Sequence, residues 1–117
     1  MLRRLGLALG LWFGSAVAML AGTELLMIEQ PGCIYCARWH AEVGPEYPIT
    51  DEGRAAPLRV VQLRDPLPDG VTIDRPAVFT PTFVLLKDGA EMGRIEGYPG
   101  EHFFWPLLGQ LIARASD

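Results

Sequence analysis

Two cysteines, Cys33 and Cys36, stand two residues apart between an apolar run and a stretch of helix formers, and they are the only cysteines in the chain of 117 residues. The run ahead of them, Leu25-Leu26-Met27-Ile28, is short, continuous and apolar, the pattern of a buried strand. Behind them, Ala37 to Val43 carries good helix formers and meets no breaker before Gly44-Pro45. The pair therefore falls where a strand hands over to the first turn of a helix.

That position has chemical consequences. A thiol at a helix N-terminus faces unsatisfied backbone N–H groups and the positive end of the helix dipole. Both favour thiolate over thiol, so Cys33 is expected to be the more acidic sulfur and the nucleophile. Cys36, one helical turn on, can attack a mixed disulfide formed at Cys33. A purely structural staple is the alternative, but closing so small a loop restricts the unfolded chain little and stabilises weakly. C-x-x-C at a strand–helix junction points instead to redox chemistry.

Half of the residues are hydrophobic, so one domain with its own core is expected, and two cysteines are too few for a disulfide-built scaffold. The formal charge is -4, and Lys and Arg are scattered singly, which argues against nucleic-acid binding. Met1-Leu2-Arg3-Arg4 is a positive start, Leu5 to Gly22 is uncharged, and Ala16-Val17-Ala18 and Ala21-Gly22 offer small-residue cleavage sites. Residues 1–21 are thus expected to be a secretory signal, with an uncleaved membrane anchor as the alternative, and 22–117 the folded domain. Arg3-Arg4 alone gives little support to a twin-arginine signal. Either leader puts the cysteines outside the cytosol, with membrane contact only through an uncleaved leader.

The elements follow in order. Glu24 to Glu29 is the first strand, and a helix runs from about Cys33 to Val43, with Trp39 and Val43 on one face. Glu46 to Ile49 is irregular, Thr50 caps a short turn to Ala56, and Leu58 to Leu63 is a strand parallel to the first. Arg64 to Pro76, rich in Pro and Asp, is a loop with at most one helical turn. Thr82–Leu86 and Glu91–Glu96 pair through an Asp88-Gly89 hairpin, with a bulge expected at Gly93. Glu101 to Ala115 is an amphipathic helix bearing Phe104, Leu107, Leu108, Leu111 and Ile112, in which Pro106 predicts a late start or a kink. Phe103, Phe104 and Trp105 are expected under it in the core, with exposure of one of the three as the alternative. The result is βαβ, then ββ, then α: an α/β fold with a mixed sheet flanked by helices.

This order, with Cys33-x-x-Cys36 at the first strand–helix junction and Phe79-Thr80-Pro81-Thr82-Phe83 before a Lys87-Asp88-Gly89 turn, resembles the thioredoxin fold over residues 24–113. More narrowly, Gln30-Pro31-Gly32-Cys33-Ile34-Tyr35-Cys36-Ala37-Arg38-Trp39-His40, with Glu42 to Pro48 behind it, is similar to the periplasmic SoxS-type thioredoxins of sulfur-oxidation systems. The resemblance implies a cis Pro81 and a Thr80 whose backbone meets a substrate strand beside Cys33, with Ile34 and Tyr35 tuning the pair. It also implies protein partners carrying disulfides or modified thiols, among them a sulfur-oxidation carrier protein, and an inner-membrane thiol electron donor. No cofactor is called for.

The chain departs from that family in two places. Met27 stands where thioredoxins carry a buried Asp, which leaves proton handling at Cys36 to water, a backbone group or another side chain, Glu29 being a candidate on sequence distance. The Arg64–Pro76 loop takes the place of the helix that precedes the cis-proline. His40 is expected on the helix surface first and as a tuner of the pair second. Cys33-x-x-Cys36-x-x-x-His40 has three of the ligands of a zinc site, so a redox-inert metal- or protein-binding module is a rival. Haem attachment is excluded because Ala37, not His, follows the second cysteine. Within thiol chemistry the rival is a disulfide isomerase or oxidase, since sequence does not set the potential.

Overall fold

The first strand, β1 (Thr23–Glu29), is apolar from Leu25 to Ile28 because both of its faces are covered. In the computed structural model, which describes residues 22–116, it lies inside a four-stranded sheet of order β2-β1-β3-β4, with β2 Leu58–Gln62, β3 Thr82–Lys87 and β4 Ala90–Glu96. β1 pairs with β2 in parallel (Met27 opposite Val60) and with β3 antiparallel (Met27 opposite Phe83). The leader expected at 1–21 lies outside the described residues.

Alternation along β1 divides the core. Leu25 and Met27 face helices α1 (Ile34–Glu42) and α3 (Glu101–Ala115), joining Trp39, Val43, Phe104 and Leu108. Trp39 is the hub of this layer, with ring centroids 5.3 Å from Phe83, 5.8 Å from Phe104 and 5.9 Å from Tyr47. Tyr47 opens a 3₁₀ turn (Tyr47–Ile49), and its hydroxyl donates to the Ala56 carbonyl at 2.6 Å, closing the short helix α2 (Asp51–Ala55) against it. Thr50 caps α2 by accepting from the Gly53 N–H at 3.0 Å.

Leu26, Ile28, Val84 and Leu86 face the other way, and among the described residues no helix covers them. The loop between β2 and β3 does so, setting Leu63, Val71, Ile73 and Ala77 on the sheet. Thr72 adds a parallel bridge beside Ala90. Two charged side chains fix the loop to β4. Arg94 donates to both Glu91 oxygens (2.9 and 2.8 Å) and to the Arg75 carbonyl (2.7 Å), while the Asp74 N–H donates to Glu91 at 2.9 Å.

The β3–β4 hairpin turns at Asp88 (φ 51°) and Gly89 (φ 83°), the two positive φ values that a tight Asp-Gly turn requires. Its register slips between Leu85, opposite Gly93, and Leu86, opposite Glu91, which is the bulge expected at Gly93. The expectation for α3 needs two corrections. The helix starts at Glu101 with no late start despite Pro106. Pro106 and His102, whose carbonyl it leaves without an intrahelical donor, are both exposed, so water can serve that carbonyl. The buried stripe is Phe104, Leu108, Leu111 and Ala115, and it leaves Leu107 38% and Phe103 66% exposed. Trp105 is half-buried, stacked on Tyr47 at 6.0 Å.

Candidate active site

β1 ends at Glu29, and the chain turns through Gln30-Pro31-Gly32 into α1. Gly32 takes φ 78°, a conformation open to glycine at little cost, and the Cys33 N–H reaches back to the Gln30 carbonyl at 3.3 Å. Cys33 then sits at the N-cap with extended backbone (φ -77°, ψ 106°). Its Sγ accepts the Cys36 N–H at 3.1 Å, the bond a capping serine oxygen would make. Cys33 and Cys36 are joined as a disulfide, with Cα atoms 5.2 Å apart.

The two sulfurs are not equivalent. Cys36 is 4% exposed and packs into the core layer below α1, whereas Cys33 is only partly buried. Ile34 and Tyr35 between them are 68% and 51% exposed, and the Arg38 guanidinium lies over the Tyr35 ring at 5.6 Å. They form the outer surface of the pair.

The Thr80–Pro81 peptide bond is cis. Pro81 is buried, its carbonyl accepts the Gly97 N–H at 2.7 Å, and β3 begins at the next residue. A residue that the sequence reasoning passed over joins the two motifs: Gln30 Nε2 donates to Thr80 Oγ1 at 2.9 Å across fifty positions. Position gave the only hint, since Gln30 leads the turn into the cysteines. Val78 (72% exposed) and Phe79 (61%) lead into the cis bond as further exposed apolar side chains.

Glu29 falls on the Leu25–Met27 side of β1, the side that bears α1, and its Oε1 meets His40 Nε2 at 2.7 Å. His40 is exposed on the helix surface, as expected, and this contact ties it to the strand. With Cys33 and Cys36 these two line one open hollow of ≈ 550 Å³.

Such a pair opens by accepting two electrons and closes by passing them on, and on this sheet it makes the protein a thiol–disulfide oxidoreductase of thioredoxin fold acting on protein disulfides. Residues 22–112 match the family described as the thioredoxin-like domain, and the chain belongs to that family. Among solved structures it is similar to the reduced form of the periplasmic thioredoxin SoxS from Paracoccus pantotrophus, at 63% identity over 80% of this chain and 98% of that one, with a TM-score of 0.78. The thioredoxin of Malassezia sympodialis (17% identity, 81% of each chain, TM-score 0.53) shares the fold alone. No curated protein matches the chain.

Proposed function

We propose that the protein is an exported, periplasmic reductant of disulfides in protein partners, with Cys33 the attacking thiolate and Cys36 the resolving thiol. The observation that carries this reading is the asymmetry of the pair, a partly exposed Cys33 at the helix cap over a Cys36 that is 4% exposed. In the reduced protein, the Cys36 N–H and the helix dipole stabilise a thiolate at Cys33. That thiolate attacks one sulfur of a substrate disulfide, expels the other as a thiolate and leaves a mixed disulfide. Cys36 then attacks Cys33 Sγ, closes the intramolecular disulfide and releases the second substrate thiol, so two electrons reach the substrate.

Ile34, Tyr35, Thr80 and Pro81 form the docking surface, and an extended substrate segment lies along Thr80 beside Cys33. Similarity to a periplasmic SoxS thioredoxin supports the compartment and a sulfur-oxidation carrier protein as one substrate. An inner-membrane thiol donor would return the electrons.

The test is a trapping pair. Cys36→Ala should accumulate mixed disulfides with partner proteins through Cys33, while Cys33→Ser should accumulate none and lose insulin reduction. Equal insulin reduction by wild type and Cys33→Ser would refute the reading, and zinc in the purified wild type would favour the metal site. A potential near about -120 mV, rather than near the roughly -270 mV of a reducing thioredoxin, would make the protein an oxidase.

A further inference from the structure

We propose that His40, oriented by Glu29, takes the proton from Cys36 and is the base that makes the resolving step possible in this chain. The inference rests on the assignment of Cys33 and Cys36 above. Resolution requires Cys36 as thiolate, yet Cys36 is 4% exposed, so bulk water reaches its sulfur poorly. The strand position beneath the pair is Met27, fully buried and unable to accept a proton. A base must come from elsewhere.

Apart from the cysteines, Glu29 and His40 are the only ionisable side chains among the described residues that line the hollow. Of their charged neighbours on α1, Arg38 lies over the Tyr35 ring and Glu42 is held by the Tyr98 hydroxyl at 2.7 Å. His40 follows Cys36 by four residues on α1, the spacing that puts two side chains on one helix face about a turn apart, and both line the same hollow. A carboxylate can only accept, so the 2.7 Å contact with Glu29 puts the hydrogen of a neutral ring on Nε2 and leaves the lone pair on Nδ1. The proton then passes from Cys36 Sγ to His40 Nδ1, and Glu29 faces the imidazolium that forms. The Cys36 thiolate attacks Cys33 Sγ, the substrate sulfur leaves as a thiolate, and the imidazolium returns the proton to it. Charge and atoms balance with no other reactant.

Reduced protein mixed with excess dithiobis-nitrobenzoate separates the two steps. Attack by Cys33 releases the first coloured thiolate and resolution by Cys36 the second, so the ratio of the second rate to the first isolates proton removal from Cys36. Near neutral pH the ratio should fall about a hundredfold in His40→Ala and less in Glu29→Gln, the low end of what a positioned base contributes. Free imidazole should restore the second phase of His40→Ala, and the gap from wild type should close toward alkaline pH, where Cys36 ionises unaided. A ratio within about twofold of wild type, a loss equal at every pH, or no response to imidazole would overturn the role of His40 and leave Cys33 and Cys36 as assigned. Absence of the first release in wild type would overturn both.

Discussion

Glu91→Gln should destabilise the domain by about 3 kcal/mol at neutral pH, with the loss vanishing in acid. The Glu91 and Arg94 side chains are 2% and 5% exposed, and Arg94 Nη1 has no partner of its own among the described residues. The guanidinium therefore depends on the Glu91 carboxylate and the Arg75 carbonyl. Removing one member of a buried pair strands the other's charge at a cost of roughly 3–5 kcal/mol, and the lower end suits a pair on an edge strand. Hydrogen bonds from Arg94 hold the Glu91 carboxyl below its usual range, outweighing the upward push of burial. A lowered folded value means that the stabilisation is fully present above the ordinary carboxylate range, near about 4.3, and is lost as pH falls through the folded value. Urea unfolding followed by tryptophan fluorescence should move its midpoint down by about 1–3 M at neutral pH and converge with wild type in acid. Replacing both residues with methionine should cost less than replacing Glu91 alone. A Gln variant within about 0.5 kcal/mol of wild type, or a loss independent of pH, would refute the reasoning.

Three further outcomes follow from the layer under α1. Burial raises the Tyr47 phenol above its usual range, and burial with a hydrogen bond to Glu42 raises Tyr98. The stability tied to these neutral phenols is whole below about pH 10 and lost above it, so an ultraviolet titration should show both ionising only as the chain unfolds. Tyr47→Phe should cost about 1–3 kcal/mol at neutral pH by orphaning the Ala56 carbonyl, yet lose less stability in alkali than wild type. Gly53→Ala should cost about 1–3 kcal/mol in urea unfolding, because a Cβ there would collide with the backbone carbonyl of Tyr47, which cannot move aside as a side chain could.

Local chemistry was legible in the sequence where neighbours along the chain decide it. The apolar run into Cys33, the Thr50 cap, the Asp88-Gly89 turn and the slip at Gly93 each follow from a few adjacent residues. The α3 stripe needed the helical phase: Phe104, Leu108, Leu111 and Ala115 recur at spacings of four, three and four, which excludes Leu107 and Phe103 although both are apolar. What was not legible joins residues far apart. Gln30 meets Thr80, Glu91 meets Asp74, and Arg94 meets the Arg75 carbonyl, only after β1, β3 and β4 have taken their register. Glu29 stood between the two cases. Its place two residues after Met27 fixes the face, but the partner on that face depends on how α1 packs.

The two faces of the sheet carry different halves of the chemistry, which makes those halves separable by mutation. The helical face sets the sulfurs: Trp39 anchors α1, and α1 fixes Cys36, His40 and, through its N-cap, Cys33. The opposite face is covered by a loop whose attachment at Asp74 and Arg75 is electrostatic, and this loop leads into Val78, Phe79 and the cis Thr80–Pro81 bond. Loosening the loop at Glu91 should leave Cys33 as before, because its N–H donates to the Gln30 carbonyl in the turn after β1 and its Sγ accepts from the Cys36 N–H of α1. If substrates dock along Thr80 as proposed, it should instead weaken their capture. Glu91→Gln reacting normally with a small aromatic disulfide while reducing insulin poorly is therefore the expected signature, and equal loss on both probes would mean that the two faces do not act apart.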